Sequence, residues 1–110
     1  MKKNKPQLSL VIPALNESKI ILSNVYELKD WMVVNLPQTS FEIVVVNDGS
    51  TDNMGHILDK ECNKLPHLRV FHHVKNMGRG RAVRTAMENT ESDYLIVLDA
   101  DLSYGPEHIG

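Results

Sequence analysis

This 110-residue sequence has a single cysteine, Cys62. No disulfide can close within the chain, which excludes a small fold held by staples and fits a reducing compartment. There is no excess of positive charge. The formal net charge is -2, so no global basic field points to nucleic acid as a partner. No long apolar run is present either; none approaches the ~18 residues that a membrane span needs. The start, Met1 to Lys5, is basic and Leu8 to Ile12 is apolar, but Pro13 ends that run and Asn16-Glu17 follow. This is too short for an export core, so the chain is expected in the cytoplasm. Internal repeats and low-complexity stretches are missing as well. What remains is 42% apolar and 24% charged residues, an ordinary balance for one globular domain with a modest core.

Four short apolar runs alternate with three helical patterns. Leu8 to Pro13, Glu42 to Asn47, Leu68 to Val74 and Tyr94 to Leu98 read as strands. Continuous Val/Ile/Leu runs suit strands buried on both faces, as in a parallel sheet. Between them the period becomes helical. Ile21, Val25, Leu28 and Met32 share one face, with Asn16 expected as the N-cap before Glu17. Met54, Ile57, Leu58, Cys62 and Leu65 form a second stripe after an Asp52 cap, and Pro66 is expected to close that helix. Cys62 lies on this stripe and reads as an inert core thiol. Val83, Ala86 and Met87 form a third, weaker stripe. The βαβαβαβ order predicts an α/β fold with right-handed crossovers, a parallel sheet in the order 3-2-1-4 and helices on both faces.

In such sheets ligands bind outside the carboxyl ends of the strands, near the switch point. Here those ends carry Pro13 to Glu17, Asn47 to Asp52, Lys75 to Arg81, and Asp99-Ala100-Asp101. Each is polar, glycine-rich or acidic. Two carboxylates two residues apart, Asp99 and Asp101, can approach one hard cation, and oxygen-only ligands suit Mg2+ or Mn2+. The bland reading is an Asp N-cap before Pro106. Asp48 ends the second strand, where a carboxylate can accept hydrogen bonds from a base or ribose; Asn47-Asp48-Gly49-Ser50 is equally a strong turn. Ser50, Thr51 and Asp52 read as caps. Gly78 and Gly80 let main-chain N–H groups approach a phosphate or base, and Lys75, Arg79, Arg81 and Arg84 add positive charge. The alternative there is a solvated basic helix start.

Gly78-x-Gly80-x-x-Val83, with Asp99 further on, imitates a dinucleotide fingerprint. It is rejected because Val83 is not small, because residues intervene between the strand and Gly78, and because the motif follows the third strand rather than the first. The five histidines form no metal cluster. His72 and His73 are adjacent and point to opposite faces of a strand, while His56, His67 and His108 fall on separate elements. All are read as structural or solvated.

VIPALNE (Val11 to Glu17), VVVNDGSTD (Val44 to Asp52), NMGRGRAVRTAM (Asn76 to Met87) and LDADLS (Leu98 to Ser103) together resemble the family 2 glycosyltransferases of the GT-A fold. The DADLS form and the helix after Gly78 are most similar to the dolichyl- or polyprenyl-phosphate mannose and glucose synthase branch. The resemblance implies a Rossmann-like nucleotide-binding half. Residues 1–7 would be a basic tail, and 8–110 the nucleotide-sugar-binding half of a domain whose acceptor half lies beyond. It also implies that Pro13, Leu15 and Glu17 line the nucleotide pocket, that Val46 and Asp48 contact base and ribose, and that Asp99 and Ala100 contact ribose and diphosphate. Gly78 and Arg81 belong to the same pocket. Asp101, with Asp99, would bind the metal. Leu15 stands where many relatives have Tyr, which puts base stacking in doubt. Ser103 stands where some have a Gln near the metal, which puts its ligation in doubt.

The implied reaction moves a hexose from a nucleoside diphosphate sugar, of GDP-mannose or UDP-glucose type, to a polyprenyl phosphate or saccharide acceptor, with inversion. No catalytic residue is assigned within the chain; a general base, if one is used, would lie outside it. Residues 1–110 alone are expected to be inactive, and any membrane association to run through a C-terminal region at the cytoplasmic face. A non-catalytic nucleotide-binding module is the second reading. A phospho-acceptor signalling domain is the third; it would need a Lys at a later strand end.

Overall fold

The computed structural model describes residues 5–98. Asp99, Ala100, Asp101 and Ser103, and the cap considered before Pro106, lie outside the described residues. Strands and helices alternate as β1 (Leu8–Ala14), α1 (Ile21–Asn35), β2 (Phe41–Asp48), α2 (Met54–Cys62), β3 (Leu68–His73), α3 (Arg79–Glu88) and β4 (Tyr94–Val97). The strands form one parallel sheet in the order β3-β2-β1-β4. Both the strand positions and the order match the reading from sequence.

Side chains alternate across a strand, so each strand feeds two cores. Leu10, Ile12, Ile43 and Val45 point to the face where Ile21, Val25, Leu28 and Met32 of α1 and Met54 and Leu58 of α2 pack. Val11, Val44 and Val46 point to the other face, under Ala82 and Ala86 of α3. Helices therefore cover both faces. This removal of both faces from water is why β2 is apolar at consecutive positions. The α3 face also buries a polar row near its amino-terminal edge. Ser9 Oγ donates to Glu42 Oε2 at 2.6 Å, and Arg69 reaches Glu42 Oε1 at 3.0 Å and the Asn89 carbonyl at 3.0 Å. The buried carboxylate is thus paired rather than orphaned.

Three local expectations are corrected. Asn16 does not cap α1, which begins at Ile21. Its Oδ1 instead accepts the N–H groups of Thr51 and Asp52, at 2.8 and 3.2 Å. An oxygen committed to a neighbouring loop is not free to cap a helix. The main chain makes a turn first, with the Glu17 carbonyl accepting from Ile20 and Ile21. Pro66 does not close α2. The helix ends at Cys62, where Asn63, Lys64 and Leu65 donate N–H groups back to the Lys60 and Glu61 carbonyls. On α3 the packed stripe is Ala82 and Ala86. Val83 is half-buried and Met87 is 59% exposed. One residue on from Ala86 is a rotation of about 100°, which carries Met87 off the sheet.

Two smaller expectations hold. Asp52 Oδ1 accepts the Met54 N–H at 3.0 Å, so it closes the first turn of α2 although Asn53 occupies the formal cap. Burial works to raise the Asp52 carboxyl, but the N–H groups of Met54 and Ser18 outweigh it and hold the group below its ordinary value. Cys62 packs against the α1/α2 core, and burial pushes its thiol up, with the charges of Asp59 and Glu61 adding to the effect. A thiol so shifted is a poor nucleophile near neutral pH.

Candidate nucleotide site

The carboxyl ends of β1, β2 and β3 converge on a cleft of about 350 Å3 lined by Pro13, Ala14, Leu15, Asp48, Asn76, Gly78 and Arg79. A larger cavity of about 790 Å3 opens at the opposite edge, beside Phe41, His67 and Arg69. Two of the charged residues that line it, Glu42 and Arg69, are paired with each other. Parallel α/β sheets bind at the carboxyl edge, where the glycine-rich and acidic loops lie, so the smaller cleft is the candidate site.

The loops are locked to one another before any ligand arrives. Asn16 sits at φ 55°, in the left-handed region that Asn tolerates better than most residues. From there its N–H donates to Ser50 Oγ at 2.9 Å, while its Oδ1 holds the Thr51–Asp52 main chain. Asp52 returns the tie by accepting the Ser18 N–H at 3.1 Å. Gly49, at φ 76°, lies against the main chain of Lys75 and Asn76; a Cβ there would stand 2.3 Å from Lys75 C and from Asn76 N. Only glycine permits both that backbone angle and that approach.

Asp48 is the centre of the arrangement. It is 6% exposed. Its Oδ1 accepts from His73 Nδ1 at 2.8 Å and from the Met77 N–H at 2.9 Å, and its Oδ2 accepts the Gly78 N–H at 2.9 Å. Burial pushes its carboxyl up, but the hydrogen bonds from His73, Met77 and Gly78, with the charge of His73, pull it below the ordinary value. It is therefore an ionised acceptor. A carboxylate offers about four acceptor positions. The three described bonds leave one, on Oδ2, in a group that also lines the cleft.

Of the residues singled out from sequence, Pro13, Leu15, Asp48 and Gly78 come together around this cleft. Glu17 lies half-buried in the turn before α1, outside the lining. The Val46 side chain is fully buried in the α3-face core. Arg81 is exposed on α3 away from the lining, which instead includes Arg79. Asp99, Ala100, Asp101 and Ser103 are outside the described residues. Among the described residues no group of three His, Cys, Asp or Glu side chains could hold a metal.

The sequence reading missed His73 as a partner of Asp48. The alternation along each strand was legible in the sequence, but the register was not. Residues 42, 44, 46 and 48 share one face of β2, as 69, 71 and 73 share that face of β3. In the parallel register, Asp48 and His73 are paired.

Residues 9–110 match the family model described as glycosyl transferase family 2. A dolichyl-phosphate β-glucosyltransferase of Trichomonas vaginalis is 35% identical over 96 residues, covering 84% of this chain and 28% of that protein. The human dolichyl-phosphate β-glucosyltransferase is 31% identical over 100 residues, covering 86% of this chain and 31% of its own length. The chain thus spans under a third of these curated relatives. Among solved structures, Staphylococcus aureus TarS in complex with UDP-GlcNAc superposes with a TM-score of 0.72 at 32% identity, over 86% of this chain and 26% of that one. A mannosyltransferase of Pyrobaculum calidifontis, solved with GDP-Man and Mn2+, shares the fold with a TM-score of 0.76 at 22% identity, over 89% and 28%. A parallel 3-2-1-4 sheet with its polar loops gathered at the carboxyl edge, and a family match over nearly the whole length, place this chain in glycosyl transferase family 2.

Proposed function

We propose that the chain binds the nucleotide of a nucleoside diphosphate sugar for a hexosyltransferase whose acceptor is a polyprenyl phosphate. The observation that carries the nucleotide assignment is Asp48, an ionised carboxylate at the cleft with one acceptor position uncommitted among the described residues. An acceptor of this kind selects a base that presents an N–H donor, as uracil and guanine do. This agrees with the UDP-GlcNAc bound by TarS, a relative above 30% identity. Leu15 and Met77, 40% and 47% exposed, give the cleft region the apolar surface that a base ring would cover. Arg79 and the N–H groups at the start of α3 offer positive potential for phosphate oxygens.

Asp99 and Asp101 complete the proposal as carboxylate ligands for Mg2+ or Mn2+. Their hard oxygen donors suit such an ion, which when bound would neutralise charge on the departing diphosphate. The acceptor assignment is supported by the dolichyl-phosphate β-glucosyltransferases among the relatives. It is also chemically economical. A phosphate acceptor is already ionised near neutral pH and needs no general base, whereas a hydroxyl does. The reaction is assigned to the cytoplasmic face of the membrane. Among the described residues no helix is long and apolar enough to cross a membrane, so attachment would use other parts of the full-length protein.

The test is to incubate the full-length protein with labelled UDP-glucose or GDP-mannose and either undecaprenyl or dolichyl phosphate. Label in the lipid phosphate fraction is the expected result. Transfer to saccharide or protein hydroxyls with none to lipid phosphate would overturn the acceptor and leave the nucleotide assignment standing.

A further inference from the structure

The His73 ring is gripped at both ends inside the protein. Nδ1 meets Asp48 Oδ1 at 2.8 Å and Nε2 meets Thr85 Oγ1 at 2.8 Å. The His73 and Asp48 side chains are each 8% exposed. An ionised carboxylate has no proton to give, so Nδ1 carries one; in the neutral ring Nε2 then accepts from the Thr85 hydroxyl. His72 has the opposite arrangement. Its Nδ1 accepts from Asn47 Nδ2 at 3.0 Å, and its Nε2–H donates to Asp59 at 2.8 Å. The two adjacent histidines therefore turn opposite ring nitrogens to their carboxylates, His73 donating through Nδ1 and His72 through Nε2.

We infer that His73 is a positioning residue for nucleotide recognition, fixing the Asp48 carboxylate so that its one uncommitted acceptor stays presented to the cleft. This rests on the nucleotide assignment above. Oδ1 is filled by His73 and Met77, whereas among the described residues Oδ2 accepts only from Gly78. Met77 and Gly78 belong to a loop, and their hold moves when the loop moves. His73 sits on β3, register-paired with Asp48, and is braced by Thr85 of α3. Among the described residues it is the side chain that donates to Asp48, the other donors being main-chain N–H groups. Without it Oδ1 regains an open acceptor position, and the carboxylate can turn about its Cβ–Cγ bond between two ways of meeting a base.

The test uses calorimetry on the full-length protein with Mn2+ and three probes: UDP, GDP and inorganic pyrophosphate. His73→Phe should weaken binding of the nucleotide that the wild type prefers by about tenfold, the scale of one charged hydrogen bond, and leave pyrophosphate binding unchanged. His73→Asn, whose amide N–H can replace Nδ1–H, should recover most of the loss. Thr85→Val removes only the brace and should produce a smaller loss in the same direction, which keeps the inference testable if His73→Phe does not fold. In the wild type, nitrogen NMR of the imidazoles should find the His73 proton on Nδ1 and the His72 proton on Nε2. Unchanged nucleotide affinity in His73→Phe and Thr85→Val would overturn the role, as would an equal loss for nucleotide and pyrophosphate. Wild-type protein that binds neither nucleotide would overturn the nucleotide assignment itself, and this role with it.

Discussion

Replacing Gly49 by Ala should damage the protein far more than the loss of a single loop glycine suggests. The new Cβ would stand 2.3 Å from Lys75 C and Asn76 N and 2.8 Å from Lys75 Cα. All three are main-chain atoms, so no side chain can swing aside. The 75–76 segment must retreat by about 1 Å to reach ordinary contact. The same retreat draws the Met77 and Gly78 N–H groups from 2.9 Å to beyond hydrogen-bond range of Asp48. The φ of 76° adds about 1–2 kcal/mol for a residue with a Cβ. Each charged hydrogen bond adds about 1.5–3 kcal/mol if lost outright. Partial relaxation leaves about 4 kcal/mol as the expected loss, a large part of the total stability of an ordinary domain. Urea unfolding followed by the fluorescence of Trp31, the only tryptophan of the chain, measures it. Two other glycines are the controls. Gly78 has φ 94° but open space around its Cβ position, so Gly78→Ala should cost only backbone strain, about 1–3 kcal/mol. Gly80 lies within α3 with nothing near, so Gly80→Ala should stabilise by about 0.5–1 kcal/mol. A Gly49→Ala protein within 1 kcal/mol of wild type would refute the claim that this contact holds the site loops together.

Other outcomes follow from the same loops. Asn16→Ala removes the acceptor for Thr51 and Asp52 and should cost about 2 kcal/mol in urea unfolding, with Asn16→Gly costing less because glycine adopts φ 55° freely; equal losses would show that the bonds alone matter. The Asp48 carboxyl is held below its ordinary 3.8, so it contributes stability that is fully present above that value and is lost as pH falls below it, through the folded-state value. Asp48→Asn should flatten the acid limb of a stability–pH curve below about pH 4; an unchanged slope would remove Asp48 from the acid transition. In the full-length protein, Asp101→Asn should weaken Mn2+-dependent binding of nucleoside diphosphate, because one hard anionic ligand is lost. Equal affinity in calorimetry would take Asp101 out of the metal assignment.

Much of the architecture was readable because it depends on periodicity. The continuous Ile43–Val46 run and the Ile21, Val25, Leu28, Met32 stripe each have one reading when a chain must bury them, and the alternation of such segments fixes a parallel sheet. The motifs at the strand ends likewise pointed to Pro13, Leu15, Asp48 and Gly78, which meet at one cleft. Capping was less readable. Asn16 and Asp52 both looked like caps from their neighbours, yet Asp52 closes its helix while Asn16 serves another loop 35 residues away. Sequence shows which oxygen is available, not which N–H group folding will bring to it.

Residue types and their order therefore pointed to the layers, the strand order and the carboxyl edge that holds the candidate cleft. Register and packing between distant segments decided the rest. Val46 and Asp48 lie two apart on the same face of β2, yet one side chain is sealed under α3 and the other reaches the cleft, because only the strand end is uncovered. Arg79 rather than Arg81 lines that cleft because α3 starts beside it and turns away. His73 became the partner of Asp48 through the β2–β3 register, a separation of 25 residues that no local pattern spans. Hydrophobic period is a property of a segment and survives in the sequence. A hydrogen bond between strands is a property of two segments, and it exists only once the fold has aligned them.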